Sequence, residues 1–262
     1  MFESGCTLAA ATAVCGEAEP EAQVLEGLAA LVDNSLLRVE TRPGAEQRFR
    51  ILETIREFAL ERLTSDADDL QATPRRHALY FLSLAEAASD DCTAEPESNE
   101  LAAESDNVRA TLRWSVDTGE TELGLRLASR LSPLWRVNGT VREGRLWLAA
   151  LFAARETART GPCGQALCLA GSLAERDGDY ETAEAHFREA LQLARAIGDA
   201  DVACRALDRL GVLSSLCDDL ETAADLFSET VETARASSWP WIGWPLLHTA
   251  LTSVRLGRIS HA

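Results

Sequence analysis

The chain contains no lysine, and each of its 25 basic residues is an arginine. A Walker-type ATPase needs a P-loop lysine, and Schiff-base or Ser-Lys chemistry also needs a lysine amine, so these activities are excluded. Long apolar runs are missing too, because no stretch approaches the roughly 18 residues of a membrane helix. No basic-then-apolar signal segment opens the chain. We therefore expect a soluble, cytosolic protein.

Positive charge is scarce throughout the chain, whose formal net charge is −17. Six arginines stand against twelve acids in residues 1–66, eleven against fifteen in 67–159, and eight against fifteen in 160–262. A DNA-binding protein normally concentrates positive charge, which displaces the counterions of the phosphate backbone. No segment does so, and the charge pattern disfavours direct DNA binding.

Patterns typical of metal sites and catalytic centres are also missing. The seven cysteines form no CxxC pair, and the four histidines are isolated in the sequence. Zinc needs cysteine and histidine ligands at closer spacing, whereas isolated cysteines are typical of reduced packing residues. No nucleophile with a base, distinctive carboxylate pair or glycine-rich phosphate loop stands out. We predict no metal, no cofactor and no enzymatic activity.

What the chain does contain is a repeat of 40 residues. The string AEAHFREA at 183–190 is echoed by AADLFSET at 223–230. Gly171 and Gly211 each lie twelve residues before these strings, and the pattern starts again at Ala250. The spacing predicts paired helices A and B, in which the glycines allow close approach and the phenylalanines fill the gap between repeats. The predicted helices are 165–176, 180–196, 202–216 and 220–236.

Stacked helical pairs bury their apolar faces only against their neighbours and form an extended surface for recognition. Residues 160–262 are therefore predicted to form an α-α superhelix in a mainly α-helical protein. Residues 67–159 are predicted to be a helical linker with a degenerate repeat, and Pro74 is expected to start its first helix, because proline suits a first helical turn. The helices predicted here are 74–88, 101–117, 121–131 and 140–154, and 89–98 is predicted to be a linker.

Residues 1–66 have a different pattern, in which helical periodicity gives way to strand alternation and then returns. The order of elements resembles part of a winged-helix unit with a small β-hairpin. The predicted elements are helices at 7–15 and 21–33, strands at 36–40 and 48–52, and a helix at 53–63. This last helix contains Arg56 and Arg62 but also three glutamates. Its charge would repel a phosphate backbone.

Four strings precede the repeats in a recognisable order. They are LVDNSLL at 31–37, LETIREFALERL at 52–63, RHALYFL at 76–82 and DNVRATLRW at 106–114. Together with the repeats, they resemble the region downstream of the nucleotide-binding domain in bacterial regulators of the LuxR and AfsR/SARP type, which are STAND ATPases. The repeats resemble tetratricopeptide repeats of the long, MalT-like kind. The resemblance covers nearly the whole chain.

This resemblance implies that the winged-helix part packs on a nucleotide-binding module and that the repeats sense an inducer or a protein partner. It also implies an output through a DNA-binding domain at one end of a longer chain. The sequence departs from that plan, because it has no Walker lysine and its first residue falls where the winged helix is already under way. Its last residue falls at the start of a helix B. A fragment or a truncated relative is therefore among the hypotheses.

The A helices of such a superhelix line its concave face. The residues expected to point there are Gln165, Ser172, Arg176, Arg205, Asp208, Trp244 and Arg255. Arginine binds carboxylates in a bidentate manner, and an indole offers stacking area. We predict that this set contacts a protein partner or a small effector. The simpler interpretation is a solvated face with ordinary surface ion pairs, which contribute little.

The string WPWIGWP at 239–245 also has two interpretations. Three tryptophans within six residues can form an aromatic contact patch. Alternatively, they pack the third repeat on the second, while Pro245 starts a helix. Apolar area on an uncapped last repeat would favour self-association.

The sequence thus favours a non-catalytic sensor and protein-interaction module of a bacterial transcriptional regulator. In this hypothesis, a partner or effector binds in the repeat groove and the winged-helix segment makes an intramolecular contact. Two alternatives remain open. One is a regulator that binds DNA directly through the winged helix, and the other is a non-functional remnant of a longer ATPase regulator.

Overall fold

The structure is a computed structural model, and it describes residues 2–15, 20–41, 46–63, 67–87, 100–136, 140–154 and 160–258. The chain is mainly α-helical with a small two-stranded sheet, as the sequence predicts. It forms two compact units, Met1–Arg130 and Leu131–Ala262. None of the described helices is both long and apolar enough to cross a membrane.

The first unit starts with two helices and a hairpin, to which further helices are added. Its elements are α1 (Leu8–Cys15), α2 (Glu21–Asp33), β1 (Leu37–Glu40), β2 (Arg48–Ile51), α3 (Glu53–Leu63), α4 (Ala67–Ala87), α5 (Glu100–Ala103), α6 (Ser105–Thr118) and α7 (Thr121–Arg130). The strands are antiparallel, with Leu37 opposite Ile51. Cys6, Val24 and Phe49 belong to a small core shared by the first helices and the hairpin.

Two predicted boundaries in this unit are wrong. Pro74 does not start a helix but lies inside α4, which begins seven residues earlier at Ala67. A proline removes only one backbone donor, and the turn before it remains helical here. The predicted helix 101–117 is divided at Glu104, whose side chain is buried in a polar network. The predicted linker at 89–98 lies outside the described residues.

The second unit consists of helices only, within the described residues. They are α8 (Ser132–Trp135), α9 (Val141–Ala154), α10 (Gly161–Arg176), α11 (Tyr180–Ile197), α12 (Ala200–Leu216), α13 (Leu220–Ser237) and α14 (Gly243–Arg255). The four repeat helices α10 to α13 agree with the predicted ones to within four residues at each end. Asp179, Asp199 and Asp219 cap three of them, because each carboxylate accepts a backbone N–H three residues later.

In each repeat, the two helices meet at a contact between a glycine of the first helix and a phenylalanine ring of the second. A Cβ atom added to Gly171 would lie 2.6 Å from Cε1 of Phe187, and one on Gly211 would lie 2.6 Å from Cε1 of Phe227. Glycine is needed because any side chain would displace the ring. The phenylalanines therefore fill the space within a repeat, not only between repeats. Phe227 also reaches the next repeat, where its ring lies 5.1 Å from that of His248.

A buried histidine stands in the helical part of the first unit. His77 of α4 packs against the rings of Phe2 and Phe81, at centroid distances of 5.0 and 4.7 Å. Its Nδ1 lies 3.4 Å from Oγ1 of Thr111, and its Nε2 has no hydrogen-bond partner among the described residues. Burial lowers the pKa of His77 to about 4. The imidazole is therefore neutral in the folded chain at physiological pH.

This burial predicts a specific dependence of stability on pH. Between about pH 6.5 and pH 4, the unfolded chain binds a proton at His77 and the folded chain does not. The free energy of unfolding therefore has its full value above pH 6.5. It falls by about 3 kcal/mol as the pH approaches 4. Urea unfolding of the wild type and of His77→Phe at pH 7 and pH 4 isolates this contribution. Equal losses in both proteins would contradict it.

Candidate recognition surface

The second unit presents its A helices (α10, α12 and α14) side by side. α10 contacts α12 and α12 contacts α14, whereas the B helices α11 and α13 approach each other less closely. Since neighbouring A helices are closer together than neighbouring B helices, the A side is the concave side of the repeats. Equivalent positions of successive A helices therefore lie next to one another on this surface.

Three of the predicted site residues occupy one such line. Gln165, Arg205 and Trp244 are 40 and 39 residues apart, and they stand at equivalent positions of α10, α12 and α14. Gln165 and Arg205 are half-buried, and Trp244 is exposed. Nε of Arg205 donates to the carboxylate of Asp201 at 2.9 Å, and Asp201 also accepts the indole N–H of Trp239 at 2.7 Å. The line thus combines an amide, a guanidinium and an indole on one surface.

Arg176 and Arg255 stand at another pair of equivalent positions, and both bond within the chain. Arg176 donates to the backbone carbonyl of Arg136, and Arg255 donates to that of Ser215, each at 3.1 Å and across 40 residues. Arg255 also pairs with Asp218 at 2.8 Å. The two guanidinium groups meet carbonyls at the C-terminal ends of α8 and α12, where cations are favoured by the helix dipole. They connect successive repeats.

Asp208 and Ser172 are less open than the sequence suggests. Asp208 is buried, and its Oδ1 lies 2.8 Å from Nδ1 of His248 in the next A helix. The hydroxyl of Ser172 donates to the carbonyl of Cys168, one turn earlier in its own helix. A ligand-binding role for either residue stays a prediction, while their observed contacts connect or cap helices within the repeats.

The tryptophan-rich string divides its residues between packing and surface. Trp239 is buried against Cys204 and Ala234 and so packs the third repeat on the second. Trp241 and Trp244 are exposed. Together with Pro240, Gly243 and Leu247, they line an open depression of about 340 Å³ at the start of α14. Both interpretations of the string are therefore correct for different tryptophans.

The first two helices and the hairpin of the first unit follow one another in the order of a winged helix-turn-helix motif, and they offer a poor surface for DNA. In such a motif the second helix enters the major groove. This helix is α2, which exposes Glu21, Glu26 and Asp33 and contains no basic residue. The charge argument from the sequence concerns only the helix after the hairpin. It leaves out α2, although the order of helix, helix and hairpin identifies α2 as the second helix of the motif. Acids in this position oppose contact with phosphate.

The hairpin is fixed by a buried polar network within the first unit. Arg48 of β2 forms a bidentate ion pair with Glu104, and it also donates to the carbonyl of Gly5. Nδ2 of Asn107 donates to Glu104 at 2.6 Å and to Gly5 at 3.0 Å, while its Oδ1 accepts the backbone N–H of Glu3. Asn107 belongs to one of the four recognisable strings. The string at 106–114 therefore has a structural role, because its Asn107 takes part in the network that holds the hairpin against α6.

Three buried thiols among the described residues are unreactive at neutral pH. Burial raises the pKa of Cys6 and Cys168 to about 12 and that of Cys204 to about 11. These thiols are not nucleophilic at neutral pH, since the thiolate is the reactive form. No group of three or more potential metal ligands is found within the described residues.

Comparison with known domains identifies the two segments. Residues 1–64 match the winged helix-turn-helix domain, and residues 163–236 match the tetratricopeptide repeat. A solved structure with a similar fold is aspartyl phosphate phosphatase F from Bacillus subtilis, with a TM-score of 0.56 and 14% sequence identity over 91% of this chain and 57% of the other. The chain therefore combines a winged helix-turn-helix segment with tetratricopeptide repeats.

Longer proteins are similar to most of this chain. The chain is 33% identical, over 92% of its length, to "Putative HTH-type transcriptional regulator Rv0890c" from Mycobacterium tuberculosis. The same values apply to "Putative HTH-type transcriptional regulator Mb0914c" from Mycobacterium bovis. The chain spans 28% of the length of each of these relatives.

Proposed function

We propose that this chain is a non-catalytic sensor and protein-interaction region of a bacterial transcriptional regulator. It binds a protein partner or a small effector on the concave side of the repeats, in the cytoplasm. The winged-helix segment serves as an intramolecular contact surface. Within regulators of the LuxR and AfsR/SARP type, it corresponds to the region that follows the nucleotide-binding module of a STAND ATPase.

One observation carries this proposal, namely the alignment of Gln165, Arg205 and Trp244 on adjacent A helices. Side chains that pack a repeat array need only be apolar, whereas these three supply an amide, a guanidinium that is paired with Asp201, and the stacking area of an indole. An amide and a guanidinium beside an indole suit a ligand with a carboxylate or carbonyl next to an apolar or planar group. The likeness to transcriptional regulators supports a signalling role for such a ligand.

Direct DNA binding through the winged helix is the second candidate function. The helix-turn-helix match favours it, and the charge of α2 opposes it. Two of the hairpin arginines are neutralised, because Arg48 is paired with Glu104 and Arg50 is paired with Glu40 at 3.1 Å, whereas Arg38 of β1 is exposed. An intramolecular role for the winged helix is compatible with both observations.

Thermal unfolding of the full chain tests the two candidates together. We expect a raised midpoint with at least one member of a panel of nucleotides, sugars and amino acids, since a ligand specific for the folded state stabilises it by about 2.7 kcal/mol at a hundredfold excess over its Kd. We expect no shift with duplex DNA at 150 mM salt. A salt-sensitive shift with DNA alone would overturn the proposal in favour of DNA binding.

Variants then locate the binding site of any ligand that raises the unfolding midpoint. Arg205→Gln and Trp244→Ala should each abolish the ligand-induced shift, because they remove the central and terminal members of the line. Arg188→Gln is the matched control, since Arg188 is an exposed arginine on helix B that pairs with Glu184. A shift that survives Arg205→Gln and Trp244→Ala would place the ligand elsewhere.

A further inference from the structure

Arg205 differs from the other arginines of the A helices in the nitrogen atoms that it uses. Arg176, Arg209 and Arg255 donate through their terminal Nη groups to partners within the chain. Arg205 donates through Nε alone, to the two carboxylate oxygens of Asp201 at 2.9 and 3.1 Å. Among the described residues, its Nη1 and Nη2 groups have no partner. These two groups form the end of the guanidinium that can bind another carboxylate in a bidentate manner.

The carboxylate that pairs with Arg205 is itself held by a buried group. Oδ1 of Asp201 accepts the indole N–H of Trp239 at 2.7 Å. The Trp239 ring is buried against Cys204 and Ala234, so its position is fixed by packing. Asp201 also lies in the first turn of α12, where the helix dipole favours negative charge. The indole and the helix therefore hold the carboxylate in place independently of Arg205.

The indole determines which atoms of Arg205 reach the carboxylate. An arginine and a carboxylate frequently form two parallel hydrogen bonds, which use two nitrogens and both oxygens. Each carboxylate oxygen has about two lone-pair sites. Both sites on Oδ1 of Asp201 are in use, because this oxygen accepts Nε of Arg205 at 3.1 Å and the indole of Trp239 at 2.7 Å. Trp239 thus takes the place that an Nη group of Arg205 would otherwise take.

Packing of the repeats does not require this arrangement. The positions of α10 that are equivalent to Asp201 and Arg205 hold Gly161 and Gln165, which cannot form an ion pair. Nevertheless, α10 packs on α11 as α12 packs on α13, with the same contact between a glycine and a phenylalanine ring. A partly exposed ion pair spaced by four residues also adds little to stability. The arrangement therefore calls for an explanation other than stability.

We propose that Asp201 and Trp239 are positioning residues, which hold Arg205 by Nε and keep its two Nη groups available for a carboxylate of the ligand on the concave side. The inference rests on the proposed recognition function and deepens it in two ways. It names a carboxylate as the charged group of the ligand, and it assigns the specificity for that group to Arg205 and its two supporting side chains.

Trp239→Phe tests the positioning without changing any charge. The phenyl ring keeps much of the packing but has no N–H, so Oδ1 of Asp201 becomes free to accept an Nη group of Arg205. Phenylacetate serves as the probe, since it has a carboxylate next to a planar ring, and NMR titration of the arginine side-chain N–H signals of the full chain gives its Kd. We expect the Kd to rise about tenfold in Trp239→Phe, because the probe loses one of two hydrogen bonds between charged groups.

Two further variants accompany this measurement. Trp147→Phe is the matched control, because it removes an indole nitrogen that lies 3.4 Å from Oε1 of Glu143 on α9, and it should leave the Kd unchanged. Arg205→Lys keeps the charge but replaces the planar guanidinium by an ammonium group, so it should also raise the Kd about tenfold. Urea unfolding of Trp239→Phe separates the two roles of the indole. If this variant is less stable than the wild type but has the same Kd, Trp239 only packs the repeats and the proposal is wrong.

The choice of probe separates this inference from the proposed function. If phenylacetate does not bind the wild type, or if its Kd is unchanged in Arg205→Lys, Arg205 does not bind a carboxylate and the inference is overturned. A sugar that raises the unfolding midpoint and loses this effect in Trp244→Ala would still support recognition by the repeats. The proposed function can therefore hold when the inference about Arg205 fails.

Discussion

Replacing Phe187 by alanine lowers the free energy of unfolding by about 4 kcal/mol, which is typical of a fully buried aromatic side chain. Phe187 is completely buried, and its ring fills the space that Gly171 leaves open between α10 and α11. Truncation leaves a cavity that two rigid helices cannot close. Urea unfolding at pH 7 measures the effect. Tyr180→Ala is the matched control, because Tyr180 is an exposed aromatic residue at the start of the same helix.

A double-mutant cycle makes this prediction specific to the contact between Gly171 and Phe187. Gly171→Leu alone should also destabilise the chain, since its side chain would overlap the ring. In combination with Phe187→Ala, the new leucine occupies the vacated space, so the double variant should be more stable than the sum of the two single effects implies. Additive effects would show that the glycine and the ring do not determine the approach of the helices.

Replacing Glu104 by leucine lowers the free energy of unfolding by about 4 kcal/mol, because it leaves the largely buried guanidinium of Arg48 without its counter-charge. Asn107 loses an acceptor at 2.6 Å in the same step. The matched control is Glu40→Leu, which breaks the exposed pair with Arg50 on the same hairpin and should cost less than about 1 kcal/mol.

The double variant Glu104→Leu with Arg48→Met tests the reason for that loss. It removes both charges and should recover much of the stability, since an apolar pair often replaces a buried ion pair without penalty. Chemical denaturation of the wild type, of the single variants Glu104→Leu and Arg48→Met, and of the double variant gives the coupling energy between the two residues. If Glu104→Leu costs no more than Glu40→Leu, the network does not fix the hairpin.

The repeats could be predicted closely from the sequence because their signal is local and occurs twice. The spacing from Gly171 to Ala183 and from Gly211 to Ala223 depends on contacts within one helical pair, so a pattern in the chain reports a contact in the fold. Pro74 shows the opposite case. Its local preference for a first turn is real, but the chain on both sides of it is helical, and tertiary context overrides the preference.

The candidate site could be predicted only in part, since its chemistry depends on how neighbouring helices meet. The expected direction of helix A predicts that Gln165, Arg205 and Trp244 share the concave side, and their contact with a ligand stays a prediction. The sequence could not show that Asp208 would be buried against His248, because that contact depends on the register between α12 and α14. Nor could composition show that Trp239 is buried while Trp241 and Trp244 are exposed.

Backbone hydrogen exchange locates the recognition surface most directly. The full chain is measured alone, with the panel of nucleotides, sugars and amino acids, and with duplex DNA. If the repeats are the sensor, a ligand that raises the unfolding midpoint protects amides of Gly161–Arg176, Ala200–Leu216 and Gly243–Arg255, and DNA protects none. Protection by DNA confined to Glu21–Asp33 and the hairpin, with no change in the repeats, would contradict a sensor function and identify the winged helix as the binding surface.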